Sequence, residues 1–361
     1  MKKRVVIITP TLMTGGAEAM AVRLASNIDS AKYDVMVACL SKRMDTALER
    51  ELEKANVKIK FFEKNKSRSL STMISTWKFL SKMKPDVIHS HISGTIYATP
   101  WALVHNCKII HTVHTKPDME FSEKFRKVLG LMVNRGKAII VAVSKENQKI
   151  AMDYYHFGPD RIRYVNNPVD VSKYYSAIKN DNRLTFINVS RQDQNKNQKM
   201  AINAFREIAN RLPNSELVLV GNGNEHDSLI NMADIYELTD RIRFPGEVTN
   251  VEDYLAKADI YVSTSHREGL PLSMLEAMAS KLPIISTDVG GISDVIDGNG
   301  ILVQDDDYKS MSEAMLQLAS DVETRKKYSN RSYEIVKDFD VAICAKKYEM
   351  LYEQFSKKEY K

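Results

Sequence analysis

Short apolar runs punctuate this chain in two successive series, and that rhythm restricts the fold more than any other feature of the sequence. The first series falls at residues 4–9, 34–40, 57–62, 86–89, 108–113 and 138–143. Helical spacing fills most of the intervals, and strands alternating with helices predict a parallel sheet covered on both faces. The second series, at residues 184–189, 216–221, 241–244, 259–263, 283–286 and 300–303, repeats the pattern. At 361 residues the chain is too long for one ordinary core. The expectation is an α/β protein of two doubly wound, Rossmann-like domains, residues 1–165 and 166–340. They would join near VNNPVDV (165–171), whose Asn-Asn-Pro suits neither helix nor strand. Beyond them Val341, Cys344, Tyr348, Leu351, Tyr352 and Phe355 return at helical spacing, which predicts a closing helix over 341–361.

No apolar run approaches the roughly 20 residues that span a bilayer. The opening MKKRVVIITP places basic residues ahead of apolar ones, as a signal peptide does, but its apolar part is too short and reads as a first buried strand. Cys39, Cys107 and Cys344 lack ligand spacing, which argues against a disulfide frame or a zinc site and fits a reducing, cytoplasmic compartment. Charge is unevenly placed: through residue 165 there are 28 Lys and Arg against 15 Asp and Glu, and beyond it 24 against 31. The basic half suits an anionic partner. Because no RNA- or DNA-recognition module is present, a peripheral contact with an anionic membrane surface is preferred to nucleic acid. Two features point the same way: the cluster Lys58, Lys60, Lys64, Lys66 and Arg68, and segment 117–137. That segment reads as an amphipathic helix with Phe121, Phe125, Val128, Leu129 and Met132 beside Lys124, Arg126, Lys127 and Arg135, a stripe fit for a membrane or for its own domain.

The stretch HREGLPLSMLEAMA (266–279) gathers the chemistry. It follows a strand-like run and opens a helix, so Gly269, Leu270 and Pro271 would offer backbone where unpaired N–H groups favour an anion. Glu268 and Glu276, on either side of the turn, suit the hydroxyls of one elongated ligand, since a carboxylate accepts two hydrogen bonds from a vicinal diol. Read alone, they suit equally an ordinary helix N-terminal charge and a solvated face. Arg191 and Lys196 follow the run 184–189 as loop cations, a planar fork and a point charge fit for a diphosphate. Thr14, Gly15 and Gly16 follow the first strand and open a helix, where glycines let backbone approach a ligand, but the NAD fingerprint GxGxxG is absent. HSHIS (89–93) and HTVHT (111–115) raise a metal question. His111 and His114 point to opposite faces of an extended run, which spoils joint ligation, so no metal or other cofactor is expected. His89 and His91 read as cleft or core packing residues.

Glu268 and Glu276, with seven residues between them, resemble the paired-glutamate signature of retaining GT-B glycosyltransferases of family 4, and the likeness runs through residues 259–298 and more loosely over most of the chain. The resemblance implies the GT-B fold: two Rossmann-like domains facing a central cleft, the first binding acceptor, the second binding nucleotide-sugar, with the closing helix packed back on the first. It implies that Glu276 holds the nucleotide ribose, Glu268 and His114 the donor sugar, and Arg191 and Lys196 the leaving diphosphate. Gly15 and Gly16 would face that diphosphate, and Gly269, Leu270 and Pro271 would present backbone to the donor. Gly221 would form the family's next glycine turn, and Glu247 and Val248 the segment that reads the base. Pro168 stands where the interdomain stretch usually has glycine. The implied activity is metal-independent, retaining hexosyl transfer from a nucleotide-sugar, by default a UDP-sugar, to a glycan or polyprenyl-diphosphate-linked glycan in cell-surface polysaccharide synthesis. A nucleotide-sugar epimerase and a non-catalytic glycan-binding relative are the rival readings on this fold; intact Arg191, Lys196, Glu268 and Glu276 count against the second.

Overall fold

The computed structural model describes residues 2–13, 15–62, 70–177 and 183–356. Thr14, Lys64, Lys66, Arg68 and the end of the closing segment lie outside the described residues. The chain divides into two compact units, one running to Pro168 and resuming at Val341, the other Val169–Asp340. The division falls slightly beyond residue 165 because Val165 still donates its N–H to Ala142 in the first sheet, at 3.1 Å.

In the first unit, strands β1 (Lys3–Thr9), β2 (Tyr33–Cys39), β3 (Lys58–Phe61), β4 (Val87–His91), β5 (Lys108–Val113), β6 (Ala138–Ala142) and β7 (Ile162–Tyr164) pair in parallel, in the order β3-β2-β1-β4-β5-β6-β7. Val5, Val6, Ile7 and Ile8 of central β1 are fully buried, the continuous apolar run that a sheet covered on both faces demands. The chain winds outward from β1 to β3 and returns to the opposite side at β4. Strand β7 goes beyond the sequence expectation: Ile-Arg-Tyr at an edge is too short to show a period.

The helix Val341–Ser356 belongs to this unit. Its buried stripe Cys344, Tyr348, Leu351 and Tyr352 finds polar partners on the sheet: Tyr352 Oη lies 2.8 Å from His89 Nδ1, and Tyr348 Oη 3.0 Å from Thr112 Oγ1. Tyr33 Oη on β2 donates to the Glu349 carbonyl at 3.1 Å. Buried tyrosines need such partners, which ties the helix to this face. Segment 117–137 is not one helix but two, Pro117–Glu120 and Glu123–Asn134. Phe121 leaves the helical path (φ −134°, ψ 153°) to bury its ring against Phe125, at 4.8 Å between centroids.

In the second unit, β8 (Leu184–Val189), β9 (Ser215–Val220), β10 (Ile242–Gly246), β11 (Ile260–Ser263), β12 (Ile284–Thr287) and β13 (Gly300–Val303) form a parallel sheet ordered β10-β9-β8-β11-β12-β13. Phe186, Leu217, Leu219, Ile260, Val262 and Ile285 build its core with the helix Gln198–Ala209. Among the described residues no helix is long and apolar enough to cross a membrane.

Candidate active site

Strand order marks a candidate ligand site in each unit. In an open parallel sheet, ligands bind beyond the carboxyl ends of the strands where the winding reverses. The reversal lies between β8 and β11 in the second sheet and between β1 and β4 in the first.

Beyond β8 the loop carries Arg191 and Lys196; beyond β11 the loop carries Glu268. These loops are laced together. His266 N–H donates to the Asn195 carbonyl (2.8 Å), Asn195 Nδ2 to the Arg267 carbonyl (3.0 Å), and Thr264 Oγ1 to the Lys196 carbonyl (3.0 Å). At the centre Lys196 Nζ bonds Glu268 Oε1, which also accepts from Ser265 Oγ at 2.7 Å. Both members of this pair are largely buried, at 20% and 11% side-chain exposure, so their attraction is less screened than on an open surface. Arg191 is different: its side chain is 71% exposed and held by Asp193 at 2.6 Å. Asp193 also accepts from the Lys196 backbone N–H at 3.1 Å and so shapes the whole loop. Sequence reasoning passed over Asp193 and Ser265, since each acts by holding a neighbour.

Gly269, Leu270 and Pro271 lead into the helix Leu272–Ala279, which has no side-chain cap; Met274 N–H bonds the Pro271 carbonyl at 3.2 Å, and the Leu272 and Ser273 N–H groups have no intrahelical acceptor. Leu270 is buried, which turns this loop's side chain inward. Glu276 lies on that helix with only 7% exposure. Burial pushes the Tyr261 hydroxyl well above its usual range; the bond to Ser273 opposes this, while the charges of Glu268 and Glu276 reinforce it, so β11 senses both acids. Gly221, at φ +126°, is pressed against the β8 loop: a Cβ there would sit 2.0 Å from the Ser190 carbonyl oxygen. Its N–H bonds the Gly246 carbonyl at 2.8 Å, bringing in the loop where Glu247 is exposed and Val248 half-buried. Among the described residues one His/Asp group has cation-ligating spacing, His266 with Asp305 and Asp306, on the surface.

In the first unit Gly15 caps the helix Gly16–Asn27 with extended backbone that any residue could adopt, and a Cβ on Gly16 would meet nothing within 4 Å among the described residues. What these glycines supply is the missing side chain. His114, just past β5, is partly exposed, and its Nε2 lies 3.1 Å from Nδ1 of fully buried His91. His111 turns instead toward Thr95 Oγ1 at 2.7 Å, as opposite faces of a strand require.

Burial dominates the ionisation of these rings. It pushes His89 down to about 3 and His91 well below its usual range, with neighbouring imidazoles adding repulsion; His114 is likewise pushed down to about 3. All three are neutral at pH 7. An imidazole in the unfolded chain titrates near 6.5, so below that pH the unfolded state takes up protons the folded state refuses. Stability is therefore full above about pH 6.5 and falls on acidification toward pH 3, by roughly 1 kcal/mol per pH unit for each of the fully buried rings His89 and His91. Urea midpoints should drop between pH 7.5 and pH 5, and less in His89→Gln. Equal pH sensitivity in the two proteins would refute the assignment.

The chain can now be set beside known proteins. The family model for Glycosyltransferase Family 4 matches residues 14–173, and that for Glycosyl transferases group 1 matches 176–335. An uncharacterized glycosyltransferase of Methanocaldococcus jannaschii is 26% identical, covering 85% of this chain and 90% of its own. The Escherichia coli UDP-Gal:alpha-D-GlcNAc-diphosphoundecaprenol alpha-1,3-galactosyltransferase is also 26% identical, over 79% of each. Among solved structures, a Rickettsia africae glycosyltransferase superposes with a TM-score of 0.85 at 17% identity, covering 99% of this chain and all of its own. Anabaena HepE, in complex with UDP and glucose, gives 0.83 at 18% identity over 97% of this chain and 99% of its own. Two parallel α/β units and matches across both halves agree: the chain belongs to the GT-B glycosyltransferases of family 4.

Proposed function

We propose that the protein transfers a hexosyl group from a UDP-sugar to a polyprenyl-diphosphate-linked glycan, with retention at the anomeric carbon and without a metal ion. The observation that carries this is the Lys196–Glu268 pair at the winding reversal of the second sheet, beside an uncapped helix that holds Glu276. Cleaving a sugar–diphosphate bond builds negative charge on the leaving group and positive charge on the sugar. Lys196, Arg191 and the open N–H groups of the helix are the matching donors, the kind of preorganised stabilisation that contributes most to such reactions. They supply charge that a divalent cation supplies elsewhere, and chelator should leave the rate unchanged. Glu276 is assigned to ribose hydroxyls, Glu268 and His114 to sugar hydroxyls. The acceptor hydroxyl attacks from the leaving-group side. UDP and the lipid-linked acceptor are supported by the chemistry of the E. coli relative and by the nucleotide bound to HepE.

Binding at an anionic membrane surface fits the exposed Lys58 and Lys60 on edge strand β3, and Val128 and Leu131 exposed beside Lys124 and Lys127 on the helix Glu123–Asn134. Co-sedimentation with anionic vesicles that salt fails to weaken would count against it.

Calorimetry tests the donor assignment. UDP should bind more tightly than GDP or ADP, and Glu276→Ala should weaken UDP by about 10-fold or more, the loss of a charge-assisted hydrogen bond. Unchanged UDP affinity in the variant removes Glu276 from the ribose. Donor incubated without acceptor should stay unchanged, whereas an epimerase would convert it.

A further inference from the structure

His91, the last residue of β4, does more than fill space. In the parallel β4–β5 pair it stands opposite Thr112, so His114, two residues farther on, shares its face of the sheet. His91 Nδ1 and His114 Nε2 are 3.1 Å apart, and His114 makes no other hydrogen bond among the described residues. The His89 ring lies behind His91 at 4.5 Å between centroids and is itself held by Tyr352 Oη and Thr112 Oγ1. Ile92, directly after His91, has φ +48°, a left-handed conformation that a β-branched residue rarely adopts. The His91 ring is thus fixed from behind and by the turn that follows it.

Two neutral imidazoles sharing one hydrogen bond can place the proton on either nitrogen. If His114 donated, the remaining proton of His91 would sit on Nε2, which is buried and has no partner among the described residues. A buried donor without an acceptor is rarer and costlier than an unfilled lone pair. If His91 donates, its Nε2 is only an unused acceptor, and the proton of His114 moves to Nδ1. We propose that His91 is a positioning residue that fixes the tautomer of His114, so that His114 presents Nδ1–H as a donor to the sugar. The role in transfer rests on the proposed function; the tautomer itself does not.

Nitrogen-15 NMR of histidine-labelled, ligand-free protein reads the tautomer directly, with His114 assigned through His114→Gln. The wild-type ring should show Nδ1 protonated and Nε2 bare. His91→Phe keeps a ring but removes the donor, and should move His114 to the Nε2–H form or a mixture. His91→Asn, whose amide N–H lies where Nδ1 was, should restore the wild-type pattern. In transfer assays His91→Phe should lower kcat about 10–100-fold, less than the ~10⁴ known for losing the correct tautomer of a general base, with little change in donor KM; His91→Asn should recover most of it. A wild-type His114 protonated on Nε2 overturns the proposal without any variant, as does a His91→Phe protein that folds and keeps the Nδ1–H form. If the NMR result holds but no UDP-sugar supports transfer, the proposed function fails and the tautomer assignment stands.

Discussion

Replacing Lys196 with alanine is expected to cut kcat by about 10²–10³-fold, the usual cost of removing one preorganised donor from a developing anion. Geometry explains why this cation should matter more than Arg191. Both cations are paired with a carboxylate, but Lys196 sits one-fifth exposed at the winding reversal, whereas Arg191 is mostly exposed. A charge in a less solvated place does more work on a leaving diphosphate. The loss should appear equally in kcat and kcat/KM, because the interaction grows as the bond breaks. Folding should survive. Glu268 keeps its bond from Ser265, and removing one partner of a largely buried pair costs about 3–5 kcal/mol, which a typical domain's stability can absorb. Melting curves and steady-state rates measured together test both halves; a folded variant with near-normal turnover would end the diphosphate assignment.

The pairing behind this prediction was not legible in the sequence, and the reason is topological. Glu268 and Glu276 stand out because they flank one turn on a short stretch of chain. Lys196 lies on a different strand's loop, and it meets Glu268 only because β11 returns to the far side of β8. Apolar runs reveal that strands exist but not their order. The same limit explains His91, which looks like packing until β4 and β5 are placed side by side and its ring meets His114. Buried strands with continuous apolar runs, such as Val5–Ile8 in β1, were readable because burial on both faces leaves a mark on composition. Strand β7 and the break at Phe121 were not, since an edge triplet has no period and one ring's turn into the core leaves the surrounding amphipathic spacing unchanged.

Gly290→Ala is expected to damage the site from outside it. Gly290 has φ +59°, and a Cβ there would lie 1.8 Å from the carbonyl oxygen of Glu268. The obstacle is backbone, so no side chain can swing aside. Either the turn Gly290–Ile292 or the Glu268–Gly269 segment must shift, and the bond from Gly291 N–H to the Gly269 carbonyl, 2.8 Å long, would stretch with it. Left-handed strain contributes about 1 kcal/mol and the clash a further ~1–3 kcal/mol. Displacing Glu268 by about 1 Å should lower turnover on the order of 10²-fold, since positioning of that kind is worth as much. Gly298→Ala separates the two effects: Gly298 has φ +70° but nothing within 4 Å of its Cβ position. That variant should lose about 1 kcal/mol from strain and keep its activity. If Gly290→Ala behaved like Gly298→Ala in both unfolding and turnover, the contact with Glu268 would be slack, and the carboxylate would owe its place to Ser265 and Lys196 alone.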